Sequence, residues 1–186
     1  MKKSVLLNKP LQQGDLDSLC GIHSIINVLA ASGAVTTRRS QERLFKQLMR
    51  GLARHRAKPI KVMWQGMDVD LLRSLLREAA RKLSTPHVTY QVKRLKAASY
   101  SDLAEALLLL SRKRQKGWLP ILSIRGKYNH WTVIERITRD RIYLLDSNGT
   151  RYLRRSSCTL KKTRTKYRLF ADEVVLVRRK VLSDPR

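Results

Sequence analysis

The feature that most restricts the fold is a change of hydrophobic period along the chain. In four stretches between Ser18 and Leu110 apolar residues recur at three- and four-residue intervals. In the segments His87 to Val92, Leu119 to Ile124, His130 to Ile137, Ile142 to Leu145 and Glu173 to Val177 they alternate or form short runs. Helices and strands present side chains at different angular steps, so the two patterns require different elements. Helices first and strands later specify an α+β domain.

The first helical pattern, Cys20, Ile22, Ile25, Ile26, Leu29 and Ala30, predicts a helix beginning near Ser18, capped by Ser18 or Asp17. A second is expected from Ser40 to about His55, with Leu44, Phe45, Leu48, Met49 and Leu52 on its buried face. A third starts at Asp68 and turns Leu71, Leu72, Leu75, Leu76 and Ala79 inward; a fourth starts at Ser101 with Leu103, Ala106, Leu107 and Leu110. Ser4 to Leu7 reads as a short strand ahead of a polar loop, Pro10 to Asp17. Gly126 to Asn129 and Thr138 to Arg141 are compact turn segments, so the strand headed by His130 and the strand leading to Asp146 are expected to be hairpin-linked neighbours.

That arrangement has chemical content. Cys20 opens a buried helix after a polar loop, where the positive end of the helix dipole favours a thiolate, the reactive form of the side chain. His130, at the head of an apolar strand, is placed to take the thiol proton and return it to a leaving group. Asp146, ending the next strand in Leu144-Leu145-Asp146-Ser147, is spaced to accept from the other imidazole nitrogen, with Asn148 as second choice. Each residue also has a plainer reading: a small hydrophobe in a core helix, a strand-end histidine stacked on Trp131, and a turn-initiating carboxylate. His23, one turn after Cys20, is assigned to structure, because one helix rarely presents a nucleophile and its base together. Cys158, in a polar stretch without a local base, is read as a bystander thiol.

The order glutamine, Cys-Gly opening a helix, His-Trp opening a strand and Leu-Asp-Ser closing one resembles the papain-like cysteine peptidases, especially compact bacterial members related to bacteriocin-processing peptidases. The resemblance spans roughly the first four fifths of the chain as ordered landmarks. It implies a helix carrying Cys20 packed on an antiparallel sheet carrying His130 and Asp146, and cleavage of an amide through a covalent acyl-enzyme. In many such families the oxyanion-hole glutamine lies six positions before the cysteine, a place held here by Gly14. Gln13, one position off, is expected to serve instead with the Cys20 backbone N–H, and Gln12 is the alternative. The same three residues also suit transfer of the acyl group to an amine, or deamidation.

Size and charge bound the rest. A chain of 186 residues is long enough for one core, and positions 1–186 are read as a single domain with a basic C-terminal strand and tail. Lys and Arg number 40 against 14 Asp and Glu, a formal net charge of +26 that draws the chain toward something acidic. The alternative function is therefore a basic protein on a papain-like scaffold that binds nucleic acid or an acidic partner. No zinc-finger spacing or aromatic RNA-binding signature is present. Cys20 with His23 lacks the second close Cys/His pair of a structural zinc site, so neither metal nor cofactor is expected. Two cysteines do not make a disulfide framework, and no apolar run reaches the length of a membrane span or signal-peptide core, so a cytoplasmic location is expected.

Overall fold

The structure, a computed structural model, describes residues 10, 18–55, 58–95, 102–126, 129–162 and 166–182. Five helices and seven strands lie within them: α1 (Cys20–Ala31), α2 (Arg38–Arg54), α3 (Pro59–Gln65), α4 (Val69–Leu83), β1 (Val88–Arg94), α5 (Leu103–Gln115), β2 (Leu119–Arg125), β3 (His130–Ile137), β4 (Arg141–Leu145), β5 (Tyr152–Arg154), β6 (Cys158–Thr159) and β7 (Tyr167–Val181). The expected strand at Ser4 to Leu7 lies outside the described residues.

Helix starts follow the local chemistry of the chain. Thr37 and Ser40 form a reciprocal capping box that opens α2 two residues before the sequence reading placed it. Asp68 accepts from the Leu71 N–H at the head of α4, and Asp102 from the Glu105 N–H at the head of α5. The short α3 was not expected. Its signals are Pro59 at the first helical position and Gly66, at φ +74°, just past the end.

One helix start departs from expectation. The residue capping α1 is Leu19, without a side-chain hydrogen bond, rather than Ser18. Ser18 is bound elsewhere: its N–H donates to the Met63 carbonyl at 2.6 Å and its hydroxyl to the Trp64 carbonyl at 3.3 Å, both on α3. The entry to α1 is thus fixed by a tertiary contact that no local signal encodes.

The sheet runs in the order β1-β7-β2-β3-β4-β5, each neighbouring pair antiparallel, and β6 adds to β7 in a short parallel pairing. Alternation along the strands makes two cores. Ile121, Val133, Val175 and Val177 pack under α1, α2 and α4, whereas Leu122, Ile134, Leu144 and Leu176 pack with Leu107 and Leu110 of α5. Burial on both faces explains why Leu119 to Ile124 reads as a continuous apolar run. The arrangement is a mixed α+β fold with helices packed on an antiparallel sheet. Among the described residues no helix is long and apolar enough to cross a membrane.

Candidate active site

Three elements deliver the three residues singled out by their order in the sequence. Cys20 is the first residue of α1, His130 the first of β3, and Asp146 follows directly on β4. Because β3 and β4 pair through the turn at Thr138 to Arg141, with Val133 opposite Leu145, the head of β3 and the end of β4 meet at one end of the sheet. Helix α1 packs on β3 and brings its N-terminus to the same place. The plainer reading of Cys20 as a core hydrophobe describes its burial but not its neighbours.

His130 Nε2 lies 2.6 Å from Asp146 Oδ2, and both side chains are almost wholly shielded from water, at 2% and 1% exposure. The Cys20 sulfur lies near enough to the same ring to help raise its pKa. With Nε2 committed to Asp146, Nδ1 is the nitrogen left for the sulfur. The second oxygen of the carboxylate, Oδ1, accepts from the backbone N–H groups of Asn148 at 2.9 Å and Thr150 at 3.2 Å. One oxygen of Asp146 thus holds the turn, and the other meets the imidazole. Asn148 contributes its backbone to this turn.

Electrostatics follow from this geometry. Burial by itself pushes the imidazole pKa down, but the hydrogen bonds and negative charges of Asp146 and Cys20 outweigh it and raise His130 to about 9. For Asp146, burial raises the carboxyl pKa, and the hydrogen bond and charge of His130, with the Asn148 N–H, carry it below its ordinary value. A protonated ring beside an ionised Asp146 is the charge state this pair favours.

Trp131 is the residue that sequence reasoning missed. Its N–H donates to Cys20 Sγ at 3.4 Å, its carbonyl accepts from the Ser24 hydroxyl at 2.8 Å, and its indole N–H donates to the Met67 carbonyl at 2.9 Å. One residue thus ties β3 to α1 and to the segment between α3 and α4. The His-Trp pair was noted in the sequence, but two of these bonds use backbone atoms, which no residue type announces. Gly21 belongs to the same joint, since a Cβ there would lie 2.7 Å from the Met67 sulfur.

His23 and Cys158 have other neighbours. The His23 ring lies against Phe45 of α2, with 5.9 Å between ring centroids. Cys158 is buried beside β7, donates to the Arg154 carbonyl at 3.4 Å, and has its thiol pushed up to about 11 by burial despite Lys166 and Arg155 nearby. Neither cysteine is in a disulfide. Gln12, Gln13, Gly14 and Asp17 lie outside the described residues. Among the described residues no three His, Cys, Asp or Glu side chains cluster as metal ligands would. Comparison with protein-family models and with curated proteins finds no match, so geometry carries the functional argument.

Proposed function

We propose that the chain is a papain-like cysteine hydrolase that cleaves a peptide or isopeptide bond, with Cys20 as nucleophile, His130 as proton carrier and Asp146 as the orienting residue. The observation that carries this reading is the buried 2.6 Å contact between His130 Nε2 and Asp146 Oδ2, with the Cys20 sulfur against the same ring. A cysteine, histidine and carboxylate from three separate elements converge in one buried cluster, which core packing alone does not require.

The steps follow from those contacts. The Cys20 sulfur, as thiolate beside the imidazolium, attacks the substrate carbonyl carbon and forms a tetrahedral adduct. As N1 of α1, the Cys20 backbone N–H has no acceptor within its helix and is directed to the new oxyanion, with the Gln13 amide as the second donor in this reading. The C–N bond breaks as His130 gives its proton to the leaving amine. Water then loses a proton to His130 and attacks the thioester, which releases the acid and restores the thiol–imidazole pair. Asp146 stays ionised and keeps Nε2–H pointed at itself throughout.

The test is the rate of iodoacetamide alkylation at Cys20 against pH, with peptide mapping to separate it from Cys158. Wild type is expected to react well below the ordinary thiol pKa of about 8.5, and His130→Ala to lose that reactivity. A Cys20 that titrates like a free thiol in both proteins would sink the proposal.

A further inference from the structure

On the solvent side of the helical layer, the end of α2 and the last two turns of α4 enclose a cleft of about 680 Å³ lined by Arg54 and His55 from α2 and by Arg77, Glu78, Arg81 and Lys82 from α4. The four α4 positions share one face of a 3.6-residue helix, opposite the face where Leu72, Leu75, Leu76 and Ala79 enter the core. Glu78 sits between the two walls. It accepts from Arg54 Nη2 at 2.6 Å and Lys82 Nζ at 2.9 Å, and His55 Nε2 is 3.6 Å away. One carboxylate thus holds three basic groups in place and neutralises a single charge. Arg77 and Arg81, both exposed and one turn apart, have no carboxylate partner among the described residues.

We propose that this cleft docks the phosphodiester backbone of a nucleic-acid duplex, without regard to sequence, with Arg77 and Arg81 each contacting a phosphate. The occupant is chosen by chemistry. A net charge of +26 complements a polyanion, and arginine forks match phosphate oxygens two at a time. Among the described residues the exposed large apolar side chains, Ile60, Trp64, Leu108, Tyr152 and Val181, lie elsewhere and give an acidic protein no apolar anchor in the cleft. Among the described residues no Phe, Tyr or Trp lines it, so they offer unpaired bases no stacking platform. What remains is a backbone contact. Glu78 lies ten residues along α4 from its cap Asp68, roughly 15 Å at 1.5 Å per residue, and Cys20 is not among the residues that line the cleft. The assignment does not depend on the hydrolase reading.

The test is fluorescence anisotropy of the full-length chain with a labelled duplex of about 20 base pairs between 50 and 200 mM salt. Arg77→Ala/Arg81→Ala is expected to weaken binding about tenfold or more at the low-salt end and to reduce the slope of log affinity against log salt by about 1.8. The control, Arg112→Ala/Lys116→Ala, removes equal charge from exposed positions at the end of α5 and is expected to leave the slope within about 0.5 of wild type. Equal losses from both pairs would mean diffuse attraction and overturn the site. So would a chain that binds polyglutamate through Arg77 and Arg81 but not the duplex. Alanine is the strongest helix former and both α4 positions are exposed, so the variants should melt as wild type does.

Discussion

At Asp146 a single carboxylate serves two structures at once, a turn through Oδ1 and an imidazole through Oδ2. Asp146→Asn keeps the Oδ1 acceptor and removes the charge. It should leave the turn intact and lower the His130 pKa from about 9 to below its ordinary 6.5, because burial then acts with less opposition. A histidine titration followed by NMR reads this directly, and Cys20 alkylation at neutral pH should slow by about 10²–10⁴-fold. Stability carries the same sign. A histidine whose folded pKa is raised contributes fully below the unfolded value of 6.5, and the contribution is lost as pH rises through about 9. Asp146, held low, contributes above its unfolded value and loses that contribution only as pH falls through its lowered pKa. The difference in melting temperature between wild type and Asp146→Asn should therefore be largest near pH 6 and shrink through pH 9; a constant difference would mean a neutral ring. The meeting of His130 and Asp146 at one end of the sheet was legible because each opens or closes a strand of one hairpin. Trp131 was not, because its role rests on which backbone groups tertiary packing puts beside it.

Among the elements, the joint at Gly21 shows how closely α1 is fitted to its neighbours. Alanine is normally favoured over glycine inside a helix by about 1 kcal/mol, yet here its Cβ would fall 2.7 Å from Met67 Sδ and 2.8 Å from Cγ. Gly21→Ala is expected to destabilise the fold by about 1–2 kcal/mol in urea and to slow Cys20 alkylation, since the Met67 carbonyl holds Trp131. The same substitution made on a Met67→Ala background should be neutral or stabilising, which separates overpacking from any other effect. At the far end of the helical layer, Thr37→Ala removes the capping box of α2 and should cost about 1 kcal/mol with no change at Cys20. The amphipathic helices were legible nearly residue by residue, as Leu44, Leu48 and Leu52 of α2 illustrate, because a 3.6-residue period is a local signal. Strand β3 was read with its observed ends. Helix α3 is too short to establish a period. Strand β7 extends well beyond the Glu173 to Val177 run; on its C-terminal side Arg178, Arg179 and Lys180 pair with β1 without being apolar.

For the whole molecule, the decisive feature is long-range: β7 lies between β1 and β2, pairing with one through Val88↔Val181 and with the other through Leu119↔Val177. No local pattern encodes which strand sits beside which, so strand existence was legible and strand order was not. Amide exchange should be slower in β7, β2, β3 and β4, which have strand neighbours on both sides, and faster in β1 and β5 at the edges. The order also sets a schedule during synthesis. Strand β1 ends at Arg94 and its partner ends at Val181, so at about 5–20 residues per second the ribosome leaves β1 without its neighbour for roughly 4–17 s. Over that interval a nascent chain carries β1 with an unpaired edge and α4 without its complete sheet. The tools that detect such exposure, such as arrested-translation pulldowns of chaperones, should find the growing chain held until β7 emerges.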